Sequence, residues 1–385
     1  MKGVIMAGGK GTRLRPLTCN RPKPMVPLVQ KPVMQYSIEW LREHGITDIA
    51  VTVQYLPDVI KNYFGDGSKF GVSLTYFEET TPLGTAGSVK QAEDFLDEPF
   101  VVVSGDALTD LNLYEGISFH YQRGSLVTIF MKHVDDPTEF GVITTDEQKK
   151  IVRFYEKPSW DQVFSHTVNT GIYVMDPKVF GYIEAEKMVD FSKEVFPRLL
   201  EENVGLFGFQ ADGYWSDIGN IQQYRQAQFD LLDGKVVASL AGDEFAPNIW
   251  MDGHAIIEDG AEITGPVSIG AGVRIRKGAK IGPYSIIGSQ SLIDKYATLQ
   301  QSVLWEQTSI GEASELKGLT VCDHVKIAPY VQANEQAIIG SNTTILEHVH
   351  IQAKVKIWPS KKVLANQIIS ESVLRSKGDI VKTPS

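Results

Sequence analysis

Cysteine is nearly absent: the chain has two, Cys19 and Cys322. Far apart and in different kinds of segment, they suggest neither a disulfide framework nor a metal cluster, and both are expected as reduced thiols. Long apolar runs are missing too. None approaches the ~20 residues of a membrane helix, and the first residues carry no secretory pattern, so the expected location is the cytoplasm. Positive charge is in deficit, 37 Lys and Arg against 47 Asp and Glu, for a formal charge of −10. That balance argues against general nucleic-acid binding. The last shortage is local. Residues 1–38 contain no Asp or Glu but seven basic residues: Lys2, Lys10, Arg13, Arg15, Arg21, Lys23 and Lys31. What remains is ordinary for a globular protein: 385 residues, 43% apolar and 22% charged, enough for a full core and more than one domain.

The acid-free stretch begins MKGVIMAGGKGTRLRPLTCNRPKPMVPLVQK. A short apolar run, residues 3–7, has the make-up of a buried strand and stops at Gly8-Gly9-Lys10-Gly11-Thr12-Arg13. Glycines after a strand bring bare backbone N–H groups up to an anion. A Walker A loop fails, because Gly11 is followed by Thr12-Arg13; a dinucleotide fingerprint fails, because Leu14 stands where a third glycine is needed. The loop, with Lys23 ten residues after Arg13 inside Arg21-Pro22-Lys23-Pro24, closely resembles the signature of the sugar-nucleotide pyrophosphorylases. These nucleotidyltransferases join a nucleoside triphosphate to a sugar 1-phosphate. The resemblance implies nucleotide contacts at Ala7, Gly8, Gly9, Gly11, Thr12, Arg13 and Lys23, with Arg13 and Lys23 catalytic.

Helical spacing follows over residues 32–44, then a strand at 49–53, a short helix at 58–64 and a strand at 72–77. Strand and helix alternating in this way predict a mostly parallel, Rossmann-like sheet. Leu83-Gly84-Thr85-Ala86-Gly87, before a helix expected over 88–96, matches the family's nucleoside pocket. An apolar strand at 99–104 ends in Gly105-Asp106. Ligands gather beyond the carboxyl ends of parallel strands, so Asp106 is expected beside the glycine loop, where a carboxylate needs a cation between itself and a phosphate. The family assigns a metal role to this Gly-Asp, and to the Trp-x-Asp-x-Gly motif matched by Asp217; two carboxylates plus phosphate and water suit Mg²⁺. On the sugar side the resemblance assigns Gly141, Glu156, Lys157 and Asn169-Thr170-Gly171. Glu and Asn can pair with hydroxyls and Lys157 can meet a phosphate. Asp190 to Pro197 is expected to start a helix, and 221–232 to form another. The closest phrases are those of mannose-1-phosphate guanylyltransferases.

From residue 255 the pattern changes. Aliphatic residues recur every six positions from Ile257 to Leu299, resume one residue out of step at Leu304, Ile310, Leu316 and Cys322, and shift again to Ile327, Ala333 and on to Ile357. Small residues sit four further on, as at Ala279, Ser285 and Ser291. This predicts a left-handed parallel β-helix of hexapeptide repeats. Acyltransferases share such solenoids, but His324, His348 and His350 read as ordinary face residues. In the resembled family the domain serves subunit contacts and sometimes allosteric control.

The sequence therefore predicts a catalytic domain at 1–232, a linker at 233–254, a β-helix at 255–372 and a polar tail at 373–385. The expected activity is Mg²⁺-dependent nucleotidyl transfer, foremost GTP plus mannose 1-phosphate to GDP-mannose, in a homo-oligomer assembled through the β-helix, without nucleic-acid or membrane partners. Uridylyl, thymidylyl or adenylyl transfer to glucose 1-phosphate, or a non-catalytic nucleotide-sugar sensor, remain as alternatives. Some long relatives continue into a phosphohexomutase-like domain.

Overall fold

Short β-branched runs alternate with amphipathic helices through the first part of the chain, and in a computed structural model describing residues 1–374 they build a nine-stranded mixed sheet. Four adjacent strands are parallel: Phe100–Ser104, Lys2–Met6, Asp48–Val53 and Ser73–Glu78. Thr167–Met175 runs antiparallel to Phe100–Ser104 and to Val127–His133, and Leu206–Gln210 is parallel to the latter. The Gly141–Thr145 and Ile151–Glu156 hairpin joins through Val168 opposite Val142. Side chains alternate between faces, so Val4 and Val102 enter one core while Ile5, Val101 and Val103 enter the other. Cover on both faces explains why these strands are uninterruptedly apolar.

The helix Val33–Glu43 matches its period, burying Met34, Ile38, Trp40 and Leu41. The helix expected over 88–96 instead spans Gly84–Lys90. It begins early because the Ala86 and Gly87 N–H groups donate to the Val189 carbonyl at 3.0 and 3.1 Å. Asp190 does start a helix, its carboxylate accepting from the Ser192 and Lys193 N–H groups at 2.9 and 3.2 Å. The first turn, Phe191–Val195, is a wide π turn that leads into Phe196–Glu201.

By packing, the chain divides after Gly219, and two pieces of the leading stretch, Thr12–Arg21 and Val26–Pro32, belong to the second unit. That unit contains the helix Ile221–Leu232 and three sheets of short strands, parallel throughout except for Asp243–Ala246 at the start of one, which form a left-handed β-helix. Ile257 pairs with Ile275, Ile263 with Ile281 and Ile269 with Ile287, so three six-residue sides make one 18-residue coil. At each corner one residue takes a left-handed backbone, such as Tyr284 or Gln290, and the next, Ser285 or Ser291, is small and buried.

Three details differ from the sequence reading. Leu304 pairs with Val321, which pairs with Ile339, so the second one-residue slip falls between Leu316 and Val321. Val321 rather than Cys322 enters the aliphatic core; both are buried, and the six-residue period alone favoured the cysteine. Burial pushes the Cys322 thiol well above its usual pKa. The expected linker carries strands Asp243–Ala246 and Ile249–Met251, the latter pairing with Val267–Ile269, so the first sheet starts before residue 255. Ile257, counted as core, is 36% exposed on the first coil. His348 stacks on Tyr330 and His350 meets the Asn334 amide, as face residues do. Of the expected tail, residues 375–385 lie outside the described residues. Among the described residues no helix is long and apolar enough to cross a membrane.

Candidate functional site

The parallel strands of the first unit all deliver chain to one edge. Lys2–Met6 runs into Ala7-Gly8-Gly9, Asp48–Val53 into Gln54, Ser73–Glu78 into Glu79 and Phe100–Ser104 into Gly105-Asp106. Beyond these ends lies a cavity of about 330 Å³, lined by Gly8, Gly9, Gln54, Glu79, Ser104 and Asp106, with Lys23, the Gly84-Thr85 turn, Met188 and Asp190 around it. The Ala7 N–H donates to the Thr52 carbonyl at 2.8 Å and the Gly105 N–H to the Met6 carbonyl at 2.9 Å, which ties the loop starts together. At Gly8 a Cβ would stand 3.1 Å from Glu79 Oε1.

Asp106, in this cavity's wall, has a second acid from a distant segment beside it. Ala107–Thr109 and Trp215–Asp217 form an antiparallel ribbon with Asp217 opposite Ala107, which brings Asp217 beside Asp106. The Lys23 ammonium forms an ion pair with Asp106 and lies 3.4 Å from Asp217 Oδ1. The Ser104 hydroxyl also donates to Asp106. Burial penalises the Lys23 ammonium, but the two carboxylates outweigh it and hold its pKa above the ordinary value. Burial likewise works against the Asp106 carboxylate, and the Lys23 charge and hydrogen bonds hold its pKa below the usual range. Both groups stay ionised, and two negative charges converge on one positive. Such a spot attracts cations, and carboxylate oxygens suit a hard divalent one. Among the described residues no group of three or more His, Cys, Asp or Glu is gathered, so a divalent ion here would complete its shell with water and ligand oxygens.

The Leu83 to Gly87 turn is shaped by its neighbours as much as by any ligand. The Leu83 N–H donates to Glu79 Oε2 at 3.0 Å, and burial raises the Glu79 pKa against that bond. A Cβ on Gly84 would come within 2.5 Å of the Val189 carbonyl oxygen, and one on Gly87 within 2.6 Å of the Lys187 carbonyl oxygen. The smallness read as room for a base therefore also admits the 187–189 backbone. Thr85 Oγ1 donates to Asp190 Oδ2 at 3.0 Å and accepts from the Phe191 N–H at 2.9 Å.

Of the residues expected on the sugar side, Gly141 and Glu156 face each other across a hairpin, and Asn169 and Thr170 are held by local bonds. Gly141 lies opposite Glu156, where a Cβ would meet Glu156 Oε2 at 2.8 Å. Burial raises the Glu156 pKa, partly offset by Lys157. Asn169 Nδ2 donates to Tyr173 Oη at 3.0 Å, and its Oδ1 accepts from the Gly171 N–H at 2.8 Å. Thr170 Oγ1 donates to the Phe130 carbonyl at 2.8 Å, and the Trp215 indole donates to the Thr170 carbonyl at 3.0 Å. Lys157 is exposed and takes a left-handed backbone at φ 49°, its N–H donating to the Phe140 carbonyl at 2.9 Å.

Gly8, Gly9, Lys23, Gly84, Thr85 and Asp106 thus line one cavity. Gly11 closes the first unit's opening segment with φ +60°, whereas Thr12 and Arg13 lie exposed in the short turn Thr12–Leu14 and pack as part of the second unit. Glu79 and Asp190 were not among the expected site residues. Glu79 opens the same run as the Leu83 turn, and Asp190 carried a helix-cap signal; neither announces a ligand by itself.

The family described as nucleotidyl transferase matches residues 2–234. This chain belongs to that family. Nucleotidyl transferases of this type generally use a divalent metal. A second match, described as the GMPPB C-terminal domain, covers residues 263–374, within the β-helix. Among relatives of the nucleotidyl transferase chain, a UTP–glucose-1-phosphate uridylyltransferase of Synechocystis sp. is 37% identical over 82% of this chain and 86% of its own. A mannose-1-phosphate guanyltransferase of Debaryomyces hansenii is 34% identical over 95% of this chain and 98% of its own. A Bacillus anthracis protein described as a glucose-1-phosphate thymidylyltransferase, crystallised with sucrose, superposes with a TM-score of 0.55 at 30% identity, covering 60% of this chain and 94% of that one.

Proposed function

We propose that the chain transfers a nucleotidyl group from a nucleoside triphosphate to a sugar 1-phosphate, releasing pyrophosphate, with GTP and mannose 1-phosphate as the favoured pair. The observation that carries this is the meeting of Asp106, Asp217 and Lys23 at a cavity walled by the glycine loop. The sugar phosphate oxygen attacks the α-phosphorus and the bond to the β-phosphate oxygen breaks, so the enzyme's work is positioning and charge neutralisation. Asp106 and Asp217 hold Mg²⁺, which when bound neutralises phosphate charge. Lys23 leaves the carboxylates to grip the α-phosphate, and Arg13 binds the leaving pyrophosphate. Ala7, Gly8, Gly9, Gly11 and Thr12 offer backbone to the phosphates; Leu83 to Ala86 and Gly105 frame the nucleoside. Gly141, Glu156, Asn169, Thr170 and Gly171 seat the sugar, and Lys157 its phosphate.

Guanylyl transfer to mannose is favoured by the Debaryomyces relative and by a Candida albicans mannose-1-phosphate guanyltransferase, 32% identical over 97% of this chain. The Synechocystis relative supports a second reading, uridylyl transfer to glucose 1-phosphate. The β-helix, with Tyr296, Tyr330 and Ile368 exposed along it, is our candidate for homo-oligomer contacts, and we place the enzyme in the cytoplasm. Pyrophosphate release from five triphosphates mixed with mannose, glucose and N-acetylglucosamine 1-phosphates tests the reading. GTP with mannose 1-phosphate should give the highest kcat/KM; release from no pair contradicts transfer and leaves a sensor.

A further inference from the structure

Asp217 reaches Asp106 by way of a ribbon of two strands with three residues each, Ala107–Thr109 and Trp215–Asp217. So short a ribbon has little of its own to set its register, and a slip of one residue would carry the Asp217 side chain to the other face. Backbone bonds close it at both ends: the Ile218 N–H donates to the Asp106 carbonyl at 3.2 Å, and the Asp110 N–H to the Tyr214 carbonyl at 3.1 Å. Side chains reinforce the end away from the two acids. Asp110 Oδ1 accepts from the Tyr214 N–H, and Thr109 Oγ1 donates to the Tyr214 carbonyl at 3.0 Å, so the backbone of that residue is gripped on both its polar groups. The chain enters through Gly213 at φ +113°, where a Cβ would come within 2.7 Å of Asp110 Oδ1. Lys132 Nζ donates to the Gly213 carbonyl at 2.8 Å. All of these residues lie in the first unit.

Tyr214 stands three residues before Asp217, a span of at most about 11 Å of extended chain, so a shift at the tyrosine is passed along the strand to the acid. From the roles proposed for Asp106 and Asp217 we infer that Asp110 is a positioning residue for nucleotidyl transfer: by capturing the Tyr214 N–H, its carboxylate sets the ribbon register that places Asp217 beside Asp106. It acts through Tyr214 rather than on the ion. Groups that hold metal ligands in place are worth about 10–100-fold in metal affinity or activity. The Trp215 indole, bonded to the Thr170 carbonyl, steadies the same strand from the sheet side, so removing Asp110 loosens the pair of acids without releasing it.

The test uses the full chain with Asp110→Ala, Asp110→Asn, Gly213→Ala, Asp217→Asn and the double Asp110→Ala/Asp217→Asn. Mn²⁺ binding in the presence of GTP is read by electron paramagnetic resonance, and thermal unfolding monitors the fold. Asp110→Ala should weaken Mn²⁺ binding by about 10-fold or more, and kcat with the most active substrate pair should fall with it. Asp110→Asn, whose amide oxygen still accepts from the Tyr214 N–H, should stay within about threefold of the native chain. Gly213→Ala, which drives a Cβ against the carboxylate, should behave like Asp110→Ala and stands in for it if that variant does not fold. The double variant should bind Mn²⁺ no more weakly than Asp217→Asn alone, because Asp110 acts only through Asp217. A folded Asp110→Ala chain with Mn²⁺ affinity within about twofold of native, an Asp110→Asn chain as weak as Asp110→Ala, or losses that multiply in the double variant overturns the inference. If the native chain binds no Mn²⁺ with GTP, the shared-ion reading fails instead. The register claim is then read from hydrogen exchange at the Ile218 N–H, which should quicken in Asp110→Ala; an unchanged rate overturns it.

Discussion

The two units bring residues together by opposite means. At the cavity, Gly8, Lys23, Glu79, Asp106 and Asp190 come from strand ends and turns scattered through the first unit. In the solenoid, Ile275 touches what lies 18 residues before and after it, and the next coil repeats the arrangement. A point assembled from unrelated segments concentrates consequence in a few side chains, whereas a stack of like coils spreads it. Single substitutions should therefore abolish chemistry at the cavity and subtract stability in the aliphatic stack of the solenoid.

The largest expected effect breaks the cavity side of this contrast. Asp106→Ala and Asp217→Ala should each reduce kcat by about 1,000-fold or more while the unfolding midpoint stays near the native one. If both acids serve one ion, the double variant will be no slower than the worse single variant; steady-state pyrophosphate release decides. Next, Ile351→Ala in the aliphatic stack should cost about 2–5 kcal/mol of stability by opening a void, read as a lower denaturant midpoint, with kcat unchanged below unfolding. A loss of kcat there without a loss of stability would erase the distinction between the units.

A smaller effect sharpens it. Gly87→Ala forces a Cβ against the Lys187 carbonyl, so it should cost about 1–3 kcal/mol and weaken nucleotide binding together, measured by unfolding and by calorimetric titration. The smallest is a pH effect. Burial presses the His120 imidazole from 6.5 down to about 4, against a weaker upward pull from Asp176. Between those values the unfolded chain binds more protons than the folded one, so stability rises with pH across the window and is lost as pH falls from 6.5 toward 4. Urea midpoints should follow that slope, and His120→Gln should flatten it.

The contrast also explains what the sequence disclosed. The solenoid was legible because its period is written in every coil, and its register was misread where two apolar neighbours, Val321 and Cys322, both fitted. The sheet was legible because runs such as Val101 to Val103 admit little besides a buried strand. Asp106 and Asp217 were readable as separate motifs, but the ribbon that pairs Asp217 with Ala107 is a contact between distant segments. Glu79 and Asp190 escaped notice because their partners, the Leu83 N–H and the Thr85 hydroxyl, are found only once the chain has folded. The packing of Thr12–Arg21 with the β-helix was invisible for the same reason.

Electron paramagnetic resonance of Mn²⁺ added with GTP reaches the shared-ion claim most directly. The native chain should bind a single Mn²⁺ per GTP-loaded chain, and Asp106→Asn or Asp217→Asn should each weaken that binding by about 100-fold or more. Mn²⁺ affinity unchanged in either variant would contradict the claim that these two carboxylates hold one ion beside Lys23.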